Sequence, residues 1–521
     1  MLLVDKNMKQ SFTENYIKIY VLQAMSVFVG FISLFIVIPA ISSNKPIYGV
    51  YAICTSIVVF LSYADIGFLS SGAKFAAEYF AKGNKRSEME VLGFSCAVLL
   101  SVVLFFAFLF LILSIKPSLL ITGLSLEQAS VASSLLLIMA CSAPVLALLR
   151  ITQIIYSIRV IDYEIQFMLL ISNLFKVVSA YYFFREDHYD IVGYFFFIQI
   201  MNLSVFLFAW IRLVFGYKYS ICDFLKSIKF SKNVFDQTKS LAVSSLFVTV
   251  CWILYYELDN VSIGKILTAE DVALYAVGYN VLSLIRSILG VFYSPFSARF
   301  NHFIGLSMEK DLRSFLINIM IISFPIVIFL LMPLFLMSRQ LVVAWVGGEY
   351  VGAIPIVKLL ILCNIMAFVS YPMGMIVVAK KKLRAMYVSS ALLPIVFWFG
   401  IYVEVENLGV LSFALFKLVA FTISSFYYLY LLNKYFSVSV MFLLRKIIIP
   451  YIPALLAVLF VMILFTDIDI EEKSKLNLLL VGAIEATVFC FGILFSIPFV
   501  PELRRYAREK IVPLIQYKFS K

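Results

Sequence analysis

Apolar runs, each about twenty residues long, recur from one end of this chain to the other, and they constrain its fold more than any other feature. An α-helix rises about 1.5 Å per residue, so about 20 mostly apolar residues cross the hydrocarbon core of a bilayer. Fourteen such runs can be counted, centred near Val27, Val58, Leu104, Met139, Asn173, Ile200, Val250, Leu282, Ser323, Leu362, Val396, Ala420, Leu456 and Ile484. Charged residues are 14% of the chain, against about 25% in soluble proteins. The expected fold class is therefore an all-α polytopic membrane protein with 14 transmembrane helices.

The turns between the runs alternate in sign. Lys6 and Lys9 precede the first run, Lys45 stands alone after it, and the basic stretch from Lys74 to Arg86 follows the second. The alternation continues through Lys380, Lys381, Lys382 and Arg384 to a tail bearing Arg504, Arg505, Arg508, Lys510, Lys518 and Lys521. Positive charge is retained on the cytoplasmic side of membrane helices, so this pattern predicts both termini in the cytoplasm. The net charge of +12 then reports orientation, and no nucleic-acid partner is expected. The start of the chain lacks a small-residue cleavage site and is expected to be an uncleaved first helix.

The longest connection, residues 215–240, falls on the cytoplasmic side. Its apolar stripe of Ile221, Phe224, Leu225 and Ile228 is opposed by Lys226, Lys229 and Lys232, which predicts an amphipathic helix in the headgroups. It separates an N-lobe of six helices (residues 1–214) from a C-lobe of six (241–435). Residues 436–521 add two helices and a basic cytoplasmic tail. A weak internal repeat supports two bundles: IYGVYAI in the second run and LYAVGYN in the eighth reach Lys74-Phe75 and Arg299-Phe300 at similar intervals. Pro144 and Pro372 are a second matched pair. Transporters built from such repeats bind substrate where the repeats meet.

Residues 47–86 are the most distinctive stretch. An apolar segment admits Asp65, meets Gly67 and a Ser-Ser-Gly break, and continues as KFAAEYFAKGNKR. The last part predicts a short basic helix on the cytoplasmic surface, with Phe75, Ala76, Tyr79 and Phe80 on one face. The run YADIGFLSSGAKFAAEY…GNKR resembles the corresponding part of the Wzx-type polysaccharide flippases. These belong to an exporter superfamily, MOP, that also holds the multidrug MATE proteins and the lipid II flippases. Residues 255–285, YYELDNVSIGKILTAEDVALYAVGYNVLSLI, and 345–360, WVGGEYVGAIPIVKLL, are similar to later parts of the same family.

The resemblance implies outward translocation of an undecaprenyl-pyrophosphate-linked oligosaccharide through a cavity between two lobes. O-antigen, capsule or exopolysaccharide assembly in a bacterial inner membrane is the implied setting. The implied partners are the lipid-linked oligosaccharide, the bilayer, a polysaccharide polymerase and a chain-length regulator. A MATE-type drug/cation antiporter or a lipid II flippase would share the architecture. A membrane polymerase or ligase would ordinarily need a longer outer loop for its catalytic groups, so no enzymatic activity is expected.

Motif chemistry is sparse. No phosphate-binding GxxxxGK[ST] loop is present, and Gly264-Lys265 lacks the upstream glycine of such a loop. Asp467-Ile468-Asp469 reads as a solvated acidic turn. Seven scattered cysteines and two unpaired histidines, His188 and His302, suggest neither disulfide nor metal centre, and no cofactor is expected. What stands out is charge inside the apolar runs: Lys176, Arg286 and Lys417 lie well away from the ends of theirs, and Lys358 nearer one end. A central charge costs about 2.5–3.5 kcal/mol on insertion scales and ordinarily faces a bundle interior or an aqueous cavity. These four cations are the candidate pyrophosphate and glycan ligands, against the alternative of structural pairing with Asp65, Glu257, Asp259 or Glu485. Asp65 and Asp259 are candidate ion-coupling residues, and Lys74 and Arg299 candidate cytoplasmic gate or anchor residues.

Overall fold

The computed structural model describes residues 6–61, 67–185, 188–466, 468 and 470–506. The chain divides into two compact units, Met1–Ala273 and Leu274–Lys521. Asp65, Asp467 and Asp469 lie outside the described residues.

The first unit contains α1 (Lys6–Ile41), α2 (Lys45–Leu61), α3 (Phe68–Ala81), α4 (Lys85–Ile115) and α5 (Leu126–Ile158). It continues with α6 (Asp162–Phe183), α7 (Ile191–Tyr217), α8 (Ile221–Ser227), α9 (Lys232–Tyr256) and α10 (Asp259–Ile266). A two-residue antiparallel pairing, Phe184–Arg185 with His188–Tyr189, links α6 to α7. The division falls early in α11 (Ala269–Gly305). The second unit adds α12 (Glu309–Leu336), α13 (Ser338–Val346), α14 (Ile354–Leu362), α15 (Ala367–Ala379), α16 (Leu383–Leu408) and α17 (Leu411–Phe436). It closes with α18 (Val440–Leu443), α19 (Ile452–Thr466), α20 (Lys475–Ser496) and α21 (Pro501–Tyr506).

Each of the fourteen expected centres falls in a helix. Among the described residues, ten helices are long and apolar enough to cross a membrane, or up to twelve if each of two bent pairs forms one span. One pair is Ser245–Tyr256 with Asp259–Ile266, bent by 46°; the other is Gly348–Leu362 with Ala367–Ala379, bent by 51°. The protein is thus an all-α, multi-pass membrane protein.

Local chemistry sets the helix ends. Ser125 starts α5 with a capping box: its hydroxyl accepts from the Gln128 N–H at 3.2 Å while Gln128 Oε1 accepts from the Ser125 N–H at 2.8 Å. Asn84 caps α4 and Asp190 caps α7 by the side-chain bond alone, accepting from the Ser87 and Gly193 N–H groups at 3.1 Å and 2.7 Å. The stop before α3 is not the Ser-Ser-Gly sequence, which lies inside that helix. It is Gly67, whose φ of 75° favours a residue without Cβ; a Cβ there would also stand 2.6 Å from the Ala242 carbonyl oxygen. Ser71 then donates back to the Gly67 carbonyl at 2.8 Å.

Packing follows from the lipid environment. Hydrocarbon is as apolar as leucine, so close backbone approach between helices matters more than apolar burial itself. The buried face of α5 accordingly carries Ala132, Ala140, Ser142, Ala143 and Ala147, and that of its neighbour α4 carries Gly93, Ser95, Cys96 and Ala107. Large apolar side chains such as Phe105 and Phe108 remain exposed on α4, where lipid solvates them.

The connection at 215–240 differs from a single amphipathic helix. Helix α7 extends through Tyr217, α8 spans seven residues, and α9 already begins at Lys232. Phe224 is buried while Ile221 and Leu225 are exposed, so the apolar stripe is shared between the protein interior and the surface.

Candidate functional site: cations held within the helical units

Lys176 lies on α6, where α1, α2, α6 and α7 enclose a cavity of 310 Å³. Its ammonium donates to Asn202 Oδ1 at 2.8 Å, and Asn202 Nδ2 donates to Gln199 Oε1 at 3.2 Å. Gln199 and Asn202 stand one turn apart on α7, so the two amides form a short polar relay beside the ammonium. Asn173, Ser33, Tyr51 and Tyr194 share the cavity wall. The partner is a neutral amide, which does not cancel the lysine's charge. A half-buried cation facing a mostly apolar cavity that also holds an amide and hydroxyls is an arrangement suited to an anion.

The second unit holds Arg286, Lys358 and Lys417. Lys417 on α17 is fully buried, with Nζ 4.9 Å from the Phe397 ring centroid and 6.0 Å from that of Tyr279. Tyr279, Arg286 and Tyr293 recur every seven residues along α11 and therefore share a face. The Tyr371 ring stacks on Tyr293 at 4.9 Å. Lys417 and Arg286 thus border one aromatic stripe of tyrosines, about two turns apart along the helix. Lys358 rests over the Phe335 ring, 5.4 Å from its centroid.

The remaining expected residues are placed individually. Asp259 is 2% exposed at the start of α10, beside the 46° bend. Its neighbour Asn260 donates to Ser56 on α2 at 2.8 Å. Lys74 and Arg299 are exposed and lie over Phe75 and Phe303, at 5.8 Å and 5.2 Å. Among the described residues, no group of three or more His, Cys, Asp or Glu side chains could hold a metal ion.

Two charged clusters were not anticipated from the sequence. Arg159, just after α5, pairs with Glu88 at 2.6 Å and is flanked by the rings of Phe80 and Tyr219, 5.0 Å and 4.9 Å away. Burial pushes the Tyr219 phenol upward, an effect opposed by the Arg159 charge beside it. The second cluster is on α6 and α7, where Arg212 donates twice to Glu164, at 3.0 Å and 3.1 Å, and the Tyr217 hydroxyl donates to it at 2.7 Å. Arg212 also closes one end of an apolar groove of 960 Å³ between these helices. The available signal was the scarcity of acids: Glu88 and Glu164 each open a helix next to basic loop residues.

No protein-family model and no curated protein sequence matches the chain. Solved structures do. One is the lipid II flippase MurJ in an inward closed conformation, with TM-score 0.62 and 15% identity, covering 93% of this chain and 98% of that one. Another is an inward-facing multidrug resistance MATE family transporter of the MOP superfamily, with TM-score 0.65, 12% identity and coverage of 78% and 94%. A third is a MOP superfamily transporter from Pyrococcus furiosus described as having a binding pocket of reverse polarity, with TM-score 0.54, 12% identity and coverage of 82% and 96%. At such identities the likeness establishes architecture: the chain has the all-α polytopic fold shared by MurJ and the MATE transporters.

Proposed function

We propose that this protein is a flippase that moves an undecaprenyl-pyrophosphate-linked oligosaccharide from the cytoplasmic to the outer leaflet of a bacterial inner membrane for surface polysaccharide assembly. The observation that carries this reading is Lys176, a cation held by the neutral amide of Asn202 at a cavity within the first unit. A pyrophosphate entering a low-dielectric bundle must exchange its hydration for fixed positive charge and hydrogen-bond donors. Lys176, Arg286, Lys417 and Lys358 would supply that charge; Arg286 adds a planar fork that matches phosphate oxygens. The fold shared with a lipid II flippase over nearly the whole chain is compatible support at the level of analogy.

In this reading residues 1–214 and 241–435 are lobes that alternate access to the substrate, and both termini face the cytoplasm. Lys74 and Arg299 anchor the cytoplasmic ends of their helices, and Asp65 and Asp259 are candidates to bind a coupling ion. A polysaccharide polymerase and a chain-length regulator would act on the delivered product. The test is complementation of a flippase-null strain, together with flipping of a fluorescent polyprenyl-pyrophosphate oligosaccharide in proteoliposomes. Arg286→Ala should abolish transport and Arg286→Lys should retain part of it. Lys176→Gln and Lys417→Gln should impair it at normal amounts of inserted protein. Full activity in all the alanine and glutamine variants would refute the reading. Transport of organic cations in exchange for protons or Na⁺ would establish the antiporter instead.

A further inference from the structure

A second polar site lies apart from the Lys176 cavity, at the end of the first unit where α4 and α8 begin and α5 and α7 finish. There a cleft of 890 Å³ is lined by six cations, Lys85, Arg86, Arg159, Lys218, Lys226 and Lys229, against three acids, Glu88, Glu90 and Asp223. Part of this charge is already engaged. Arg159 is paired with Glu88 at 2.6 Å, and Glu90 accepts from the Ser231 hydroxyl at 2.8 Å. The other five cations have no acid in the cleft in excess of Glu90 and Asp223, so the cleft is electropositive.

Its depth in the membrane follows from the helices that build it. Helices α4, α5 and α7 are 31, 33 and 27 residues long, and each exceeds the roughly 20 residues that the hydrocarbon needs. Their common end therefore stands at headgroup level. Apolar groups surround it there: Phe80 on the cleft wall is 41% exposed, and Ile221 and Leu225 on α8 are 40% and 60% exposed. The close approach of α8 to α4 shapes the cleft, because a Cβ at Gly93 would lie 2.1 Å from the Ser227 carbonyl oxygen. A site that places positive charge, carboxylates and exposed apolar groups together fits a ligand with an anionic phosphate, hydroxyl donors and acyl chains.

We propose that this cleft binds the headgroup of an anionic phosphoglycerol lipid from the surrounding leaflet. The phosphodiester oxygens would lie among Lys85, Arg86, Lys226 and Lys229, and the headgroup hydroxyls would donate to Glu90 or Asp223. The acyl chains would follow Phe80, Ile221 and Leu225 into the hydrocarbon. The carboxylates on the wall favour a singly charged diester with hydroxyls over a bare pyrophosphate, which would meet their repulsion without giving them donors. This lipid is distinct from any transported substrate, and its binding is read without transport.

The test is native mass spectrometry of the full-length, detergent-purified protein titrated with phosphatidylglycerol or phosphatidylcholine. Phosphatidylglycerol should bind at least about tenfold more tightly, and a Lys85→Gln/Lys226→Gln/Lys229→Gln variant should lose that preference while keeping its thermal midpoint. These lysines are surface residues, and the midpoint separates lost binding from lost folding. Asp223→Asn should narrow the preference for phosphatidylglycerol over phosphatidic acid, which lacks the glycerol hydroxyls. Equal binding of the two titrated lipids, or an unchanged preference in the triple variant, would overturn the proposal. So would displacement of phosphatidylglycerol by equimolar inorganic pyrophosphate or polyprenyl pyrophosphate, which would assign the cleft to a free anion or to the transported lipid.

Discussion

Replacing Glu88 with alanine should destabilise the first unit far more than replacing the whole Glu88–Arg159 pair with apolar residues. The Glu88 side chain is 2% exposed and that of Arg159 14%, with 2.6 Å between Oε1 and Nη2. Removing one partner of a buried pair typically costs about 3–5 kcal/mol, because the other charge is left without compensation. Here Arg159 would keep a bond donated to the Ile155 carbonyl at 3.1 Å and the faces of Phe80 and Tyr219. Each ring contact contributes about 0.5–1 kcal/mol, so the expected loss lies near the lower end, about 3 kcal/mol. In Glu88→Leu/Arg159→Met no charge remains to be desolvated, and the loss should fall to about 1 kcal/mol or less. The assay is the thermal midpoint of the purified protein in detergent, compared across Glu88→Ala, Glu88→Leu, Arg159→Met and the double variant. With about 2–4 °C per kcal/mol for units near this size, Glu88→Ala should lower the midpoint by about 6–12 °C and the double variant by about 4 °C at most. Additive effects, or a Glu88→Ala shift under about 2 °C, would refute the argument that the pair is buried and coupled.

Gly67→Ala should cost at least about 2 kcal/mol and lower the yield of inserted protein, since it adds left-handed strain to contact with the Ala242 carbonyl; an unchanged midpoint would show that the backbone there differs. Burial acts to raise the Glu502 carboxyl, but the hydrogen bond from Lys446, at 2.9 Å, outweighs it and holds the group below its ordinary value of 4.5. Its stabilisation of α21 should therefore be fully present above pH 4.5 and be lost as pH falls through the lowered folded value. Amide exchange in α21 should accelerate only in that acid window for the native protein, and Glu502→Gln should abolish the pH dependence. Lys417→Cys should stay unreactive toward a water-soluble thiol reagent in the resting protein, because residue 417 is fully buried, and become reactive during turnover. Rapid labelling at rest would show instead that the site is already open.

The all-α, multi-pass class was legible because the apolar runs are long and bounded by charge, and each expected centre falls in a helix. The bends of the helices were not. Residues 363–366 interrupt α14 and α15 inside one apolar run, with no proline or charge at the break to announce it. The stop at residue 67 was visible as a glycine, but the adjacent Ser-Ser-Gly looked like the stronger breaker and proved helical. The cations were legible because a charge in an apolar run is conspicuous; their surroundings were not, because these come from other helices. Asn202 is 26 residues from Lys176 in sequence, and Tyr279 lies far upstream of Lys417. Glu88 escaped notice because a carboxylate beside Lys85 and Arg86 looks like a solvated helix start, although it is 1% exposed.

Lys176, Lys358 and Lys417 show three ways of keeping a cation within apolar helices, and the differences bear on what each can do. The Asn202 amide oxygen accepts from Lys176, and it can rotate or be displaced, so an arriving phosphate can take a share of the ammonium without breaking that bond's charge balance. Lys358 lies over one ring and is only partly buried, so its stem can carry the charge toward the nearer end of its helix. Lys417 lies over the Phe397 ring of α16 and the Tyr279 ring of α11, and it has no exposed surface. Lys417 can therefore reach a substrate only after a change that exposes α17. Lys176 and Lys417 thus differ in access: one faces a cavity at rest, and the other has no exposed surface.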